Sequence, residues 1–354
     1  MKDSYTIAND EKKKLWIFIA VAFGLTLLMS IPMYIGFKHG VNLTVFVTVQ
    51  MYYPACGVIL GKLLTRREGE NLPLAGYYAV LGTTVLLMVL SFVSLFWESQ
   101  SIIIIMSIII ALSSIMAYLV FWICGKEKME NAGIKRKNIK TSVLVILLFL
   151  ALYVIYTVLS TYLTGLRDGD MADQFAKITD PFKKLTTWVL IFSLIFNFPF
   201  SFLAFFGEEY GWRYFLQPIM QKKFGLVGGV LLLGIVWGIW HLDIDLMFYS
   251  KDTGIQMFAS QIITCVVFAI FFAYAYLKTQ NIWVPVIIHY LNNNLLAVFS
   301  GGDTSVIENQ VITWGDLPIQ LISMLVFAVF IFAPVFRKKS PHTLPPQSHN
   351  SEIR

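Results

Sequence analysis

Charge is scarce in this chain, and what there is avoids the long apolar runs. Asp, Glu, Lys and Arg make up 14% of the residues, against roughly a quarter in an ordinary soluble domain. Cysteine is scarcer: Cys56, Cys124 and Cys265 are the only three, with no CxxC and no zinc-finger spacing. That pattern suggests no disulfide framework, and each thiol reads as a small packed hydrophobe. The sequence has no tandem repeat, no GxGxxG, no P-loop GxxxxGKS/T and no HExxH, so neither a phosphate-cradling loop nor a helix-borne zinc-protease motif is indicated. The short alternating segments of a membrane β-barrel are also missing.

What fills the chain is hydrophobic sequence, at 57% of its 354 residues and a mean hydropathy of +0.70. Continuous apolar runs occupy 15–37, 41–61, 74–97, 101–124, 142–163, 185–206, 225–248, 257–277, 282–300 and 317–336. Each is close to the roughly 20 residues that cross the hydrocarbon as a helix. Backbone polar groups in lipid must be satisfied internally, which leaves helices once barrels are set aside. The expected fold is all-α, a polytopic transmembrane bundle of about ten spans. The first run follows Lys12, Lys13 and Lys14 and is too long for a cleaved signal peptide, so it reads as a retained span.

The net charge of +6 is topological rather than a sign of nucleic-acid binding. With ten spans and the N-terminus inside, 21 Lys and Arg fall on the inner side and 6 on the outer. This is the positive-inside asymmetry, and it places both termini in the cytoplasm. The loop 165–184 is the discordant one, with four basic residues partly offset by Asp168, Asp170, Asp173 and Asp180.

Three regions follow from this. Residues 1–180 hold five spans with almost no buried polar chemistry. Residues 181–336 hold the other five, with every candidate site residue. Residues 337–354 form a polar, proline-containing tail expected to be disordered. The Lys-rich inner loop 125–140 is expected at the anionic leaflet surface or as a plain topology determinant.

Ionisable groups in membrane helices are costly and usually mark a functional interior. Glu208 and Glu209 stand at the foot of the sixth run, with Arg213 just beyond. Glu209 and Arg213 are four apart and can pair on one helix face. Glu208 points about 100° away, so it is free to face a cavity and act as a general base. His241 ends the string Trp237-Gly238-Ile239-Trp240-His241 in the seventh run, where Trp237 shares its face and can wall the imidazole from lipid. His289 and Asn293, again four apart, lie in the ninth run and could hold a developing oxyanion. Asn292 and Asn294 read as interhelical hydrogen bonds or the lining of a polar crevice. Asp243 and Asp245 are expected as solvated charges near the outer headgroups.

Depth raises a difficulty. Counting at 1.5 Å per residue puts Glu208 near the inner face, His289 about 10 Å in and His241 about 24 Å in. They meet only if the Glu helix projects past the membrane or the seventh helix starts well below its surface. The site is nonetheless expected to open to the cytoplasm.

The motifs Glu208-Glu209-x-x-x-Arg213, Trp237-x-x-x-His241 and His289-x-x-x-Asn293, in this order, resemble those of the CAAX-protease and bacteriocin-processing family of intramembrane proteases, which includes the type II CAAX prenyl endopeptidases and the bacterial Abi proteins. The resemblance covers about residues 185–335. It departs at Trp237, where the family often has Phe, and at Tyr214, where many members have Gly. It implies an intramembrane endopeptidase in which Glu208 and His241 activate water, His289 and Asn293 bind the oxyanion, and Glu209 and Arg213 position the first helix. The implied substrate is a hydrophobic, membrane-anchored or prenylated peptide. The reaction needs either no cofactor or a zinc ion held by Glu208, His241 and His289, a ligand set of the catalytic type. A transporter, or a non-catalytic scaffold or bacteriocin-immunity protein, is the rival reading. Polar groups inside a bundle also line transport paths, although neither paired broken helices nor similar halves are visible.

Overall fold

The computed structural model describes residues 2–97, 99–301 and 307–337, with side chains from residue 9 onward; the tail reading therefore lies, beyond Arg337, outside the described residues. Every apolar run is helical. The elements are α1 (Lys2–Lys38), α2 (Thr44–Gln50), α3 (Tyr53–Leu64), α4 (Leu74–Val93), α5 (Ser99–Ile123), α6 (Lys126–Asn131), α7 (Ile139–Asp168), α8 (Met171–Thr179), α9 (Leu185–Glu209), α10 (Gln217–Phe224), α11 (Leu226–Trp240), α12 (Leu242–Ile244), α13 (Gly254–Thr279), α14 (Trp283–Phe299) and α15 (Asp316–Ala328). There is no strand among the described residues.

Seven helices are long and apolar enough to cross a membrane, or eight if α11 and the segment Leu242–Tyr249, bent by 44°, form one crossing. The expectation of about ten differs from this count because α14 has only 17 residues and the last apolar helix, Asp316–Phe332, is equally short. Both lie at the short end of the lengths that span the hydrocarbon.

The turns between helices gather at two ends. At one, Lys62 donates to the Asn131 carbonyl at 3.1 Å, Asn71 to Glu127 at 3.1 Å and Asn138 to the Thr279 carbonyl at 2.9 Å. Lys222 meets Glu11 of α1 there at 3.4 Å. We call this the lysine end. At the other, Thr44 donates to Glu308 at 3.5 Å, the Gln310 amide to the Tyr249 carbonyl at 2.6 Å, and Arg167 pairs with Asp316.

The first helices are packed directly against those that carry the ionisable groups. A Cβ on Gly207 would strike the Met51 carbonyl, and one on Gly211 would strike Pro54. Glycine at these two positions lets α9 and its continuation lie against α3 backbone to backbone, the usual use of small residues between membrane helices. One hydrophobic cluster accordingly runs from Phe18 and Tyr53 through Phe206 and Trp240 to Phe327.

Candidate active site

Two local irregularities position the site. The first follows α9. Tyr210–Leu216 form a π-helical turn, a feature often found at functional sites, and the helical segment then continues to Phe224. This answers the depth difficulty for Glu208 and His241. Glu208 lies 16 residues above Phe224, and His241 lies 16 residues above Gly225 on the returning helix. The two therefore stand at matching heights on either side of the turn, about 24 Å from it. Gly225, at φ +80°, makes that turn, and Gly229 brings α11 against the Gln221 backbone.

The second irregularity is at His241. A regular helix would join its amide to the Trp237 carbonyl. Instead the amide bonds Gly238 at 3.0 Å, and the imidazole Nδ1 takes the Trp237 carbonyl at 2.8 Å. A side chain inserted in the ladder kinks a helix, and the 44° bend falls here. A carbonyl only accepts, so Nδ1 carries the proton and Nε2 is left as the free ring nitrogen.

Glu208 and Glu209 are both buried, at 2% and 0% exposure, and have separate partners. Trp237 Nε1 donates to Glu208 Oε2 at 2.8 Å. Glu209 Oε2 accepts from Arg213 Nε at 2.9 Å, and its Oε1 accepts from His289 Nδ1 at 2.9 Å. The Glu209–His289 bond was not foreseen from spacing, since the two lie on different helices. It fixes the His289 ring so that its Nε2 is also free. The Arg213 guanidinium lies over the rings of Trp237 (4.5 Å) and Phe272 (5.1 Å), an arrangement that stabilises a desolvated cation. Its two terminal nitrogens have no hydrogen-bond partner.

Trp237 is therefore the centre of the arrangement. It holds Glu208 by its N–H and His241 by its carbonyl, supports Arg213 on its face, and sits with ring centroids 5.8 Å from both His241 and His289. Tyr214, the other departure noted in the sequence, stacks on Tyr210 with centroids 4.7 Å apart. It accepts from Lys62 at 2.9 Å and packs on Gly133, which leaves room for its ring.

Glu208, His241, His289 and Asn293 line one cavity of about 70 Å³, room for a few waters. Its walls include Met51, Trp237, Ile244, Phe268 and Phe272. Asn292 also lines it and donates to Asn293 Oδ1 at 3.0 Å, whereas Asn294 turns back to the Tyr290 carbonyl at 2.8 Å. Tyr249, Gln261 and Thr264 line it too and were missed. Gln261 and Thr264 carried the signal used for His241, a polar residue inside an apolar run.

Asp243 and Asp245 are not solvated as expected. The bend at His241 turns them into the bundle. Asp243 accepts from Ser30 at 2.7 Å, Gln50 at 3.1 Å and the Ile244 amide at 2.9 Å. Asp245 is fully buried. Cys56 and Cys265 are buried and Cys124 is half-buried, all as free thiols. As for a zinc ion, no group of three or more His, Cys, Asp or Glu among the described residues is arranged to hold a metal. Glu208, His241 and His289 share a cavity without forming such a set.

Residues 180–295, the stretch that supplies this cavity's acid, both histidines and Asn293, match the family model of Rce1-like type II CAAX prenyl endopeptidases. The chain carries an Rce1-like region. Over 191 residues it is 27% identical to CAAX prenyl protease 2 of Methanococcus maripaludis, an alignment covering 51% of this chain and 65% of that relative. No solved structure matches. The Rce1-like region contains the Glu, Trp–His and His–Asn motifs in full. The helices α1 to α3 that pack against it, and the α15 helix that follows, lie outside it.

Proposed function

We propose that this integral membrane protein is an intramembrane endopeptidase that hydrolyses a peptide bond in a hydrophobic, membrane-anchored or prenylated peptide. One observation carries the reading. Glu208 and two imidazoles face a single cavity, each with one polar atom tied to a fixed partner and another left for a ligand. Such preorganisation is what hydrolysis at a carbonyl needs.

In this mechanism a water sits between Glu208 and His241. Glu208 takes its proton as the oxygen attacks the carbonyl carbon, and His241 Nε2 orients the water as an acceptor. The negative charge that develops on the carbonyl oxygen is met by Asn293 Nδ2 and by His289. The Glu209 carboxylate holds His289 Nδ1–H, so a second proton on Nε2 can be donated to the oxyanion. Glu208 then returns its proton to the leaving amine. We propose the metal-free form, since the side chains supply both base and oxyanion donors without further help.

Two results are expected of the supporting residues. Asn293→Ala folds normally and loses about 10²–10³ in turnover, as for one oxyanion donor; unchanged cleavage of a reconstituted peptide substrate would remove Asn293 from the mechanism. Trp237→Phe keeps the aromatic wall but not the N–H that holds Glu208. Cleavage persists at about a tenth of the rate with KM unchanged, a loss in keeping with one hydrogen bond to a charged group. Wild-type turnover there would mean that the indole N–H does not position the base.

Orientation follows from the charge division: both termini are cytoplasmic. A Ser351→Cys variant is labelled by an impermeant thiol reagent only after permeabilisation, and labelling of intact cells overturns the topology. A peptidase assay on the wild type beside a Glu208 variant separates this reading from a transporter or a non-catalytic scaffold, neither of which cleaves a peptide.

A further inference from the structure

His241 breaks its own helix, and a residue from the first half of the chain holds the break in place. In a regular helix the Trp240 carbonyl would accept from the Ile244 amide. That amide goes instead to Asp243 Oδ1 at 2.9 Å. The Trp240 carbonyl accepts from Gln50 Nε2 at 3.0 Å, and the same nitrogen donates to Asp243 Oδ1 at 3.1 Å. Gln50 thus bridges the residue before His241 to a residue just after it. Both of its partners here are acceptors, so only the amide nitrogen of Gln50 fits between them.

The bridge is buried and tied to both N-terminal helices. Gln50, 3% exposed, is the last residue of α2, and its neighbours Val47 and Met51 line the cavity. From α1, Ser30 donates to Asp243 Oδ2 at 2.7 Å, and the Ala22 carbonyl accepts from Trp240 Nε1 at 3.0 Å. Both helices lie outside the Rce1-like region 180–295. Residues 1–180 read as nearly free of buried polar chemistry, and Gln50, polar inside the apolar run 41–61, departs from that.

We propose that Gln50 is a positioning residue for His241: by fixing the bend, it sets the direction and the tautomer of the imidazole. The Nδ1 proton is held by the Trp237 carbonyl at 2.8 Å, one turn back, and that carbonyl is free only because the ladder is broken. Without Gln50 the helix gains by straightening. The Trp240 carbonyl returns to the Ile244 amide and the Trp237 carbonyl to the His241 amide, so the imidazole loses its acceptor. The tautomer of a histidine is set by the hydrogen bond its other nitrogen makes, so Nε2 is then no longer reserved as the free nitrogen facing the cavity. The catalytic consequence rests on the hydrolase reading; the placement of the ring does not.

Gln50→Leu nearly keeps the volume and removes the donor. Solid-state NMR of the full chain in liposomes, with isotopically labelled histidine ring nitrogens, reads the tautomer directly; the His241 signal is the one lost in His241→Asn. The wild type is expected to carry hydrogen on Nδ1 alone, and Gln50→Leu to show a mixture of both tautomers. Beside this, kcat for a reconstituted peptide falls by up to about 100-fold, the cost of a small misplacement, while KM changes little. A wild type that already shows both tautomers overturns the proposal. So does a folded Gln50→Leu, judged by its melt, whose His241 signal is unchanged, even if its turnover is lower, because the loss then comes from elsewhere. Wild-type kcat in Gln50→Leu also overturns it. Where Gln50→Leu does not fold, Gln50→Asn, whose amide is one methylene too short to reach both acceptors, takes its place with the same outcomes. A tautomer shift in a chain whose wild type cleaves no peptide upholds the placement of His241 and fails the hydrolase reading alone.

Discussion

Glu208→Gln abolishes peptide cleavage and leaves the fold nearly unchanged. The carboxylate is 2% exposed and accepts one hydrogen bond, from Trp237 Nε1 at 2.8 Å. A glutamine has the same shape, and its amide oxygen still accepts from the indole. What it cannot do is take a proton from water. Loss of a general base lowers the rate by about 10²–10⁴, enough to carry a slow intramembrane protease below detection. The measurement is cleavage of a hydrophobic peptide by protein reconstituted in liposomes, beside a thermal melt of the same preparation. A melt like that of the wild type with no product is the expected pair of results. Wild-type turnover in Glu208→Gln would sink the mechanism whatever becomes of the fold.

Arg213→Ala fails differently, by losing structure as well as activity. Arg213 and Glu209 are both fully buried and joined at 2.9 Å, and the same carboxylate holds His289. Removing the cation strands a carboxylate in a poorly solvated interior. Breaking such a pair from one side costs about 3–5 kcal/mol, and the packing of the guanidinium on Trp237 and Phe272 is lost with it. The melt in detergent is expected to fall steeply and the yield of folded protein with it. A cycle separates charge from packing: Arg213→Ala with Glu209→Gln removes the stranded charge and recovers a good part of the stability, but not activity, because a neutral amide no longer stabilises the doubly protonated His289 that donates to the oxyanion. Arg213→Ala that melts like the wild type would show that Glu209 finds solvent without its partner.

The helical bundle was legible from the apolar runs because lipid leaves the backbone few options. The pairing of Glu209 with Arg213 was legible too, since four residues on a helix bring side chains together whatever surrounds them. The Glu209–His289 bond was not, because nothing local relates residues 80 apart. Nor was the fate of Asp243 and Asp245. Their position near the end of an apolar run reads as a headgroup location, but the His241 side chain breaks the helix just before them and turns them inward. The span count is approximate for a related reason: α14 and the last apolar helix have 17 residues each, at the short end for a crossing.

The sequence by itself determined the class of the protein, an all-helical membrane bundle. It also marked Glu208, Glu209, Arg213, His241 and His289 as interior, because an ionisable group in an apolar run is conspicuous through its cost. Tertiary structure alone decided which atoms of those residues are left free. Trp237 ties down Glu208, and Glu209 ties down His289, through contacts between helices that no spacing rule encodes. Depth counted along single helices set Glu208 and His241 apart, but the height of a residue depends on where its helix turns. The turn at Gly225 brings the two to matching heights on neighbouring helices.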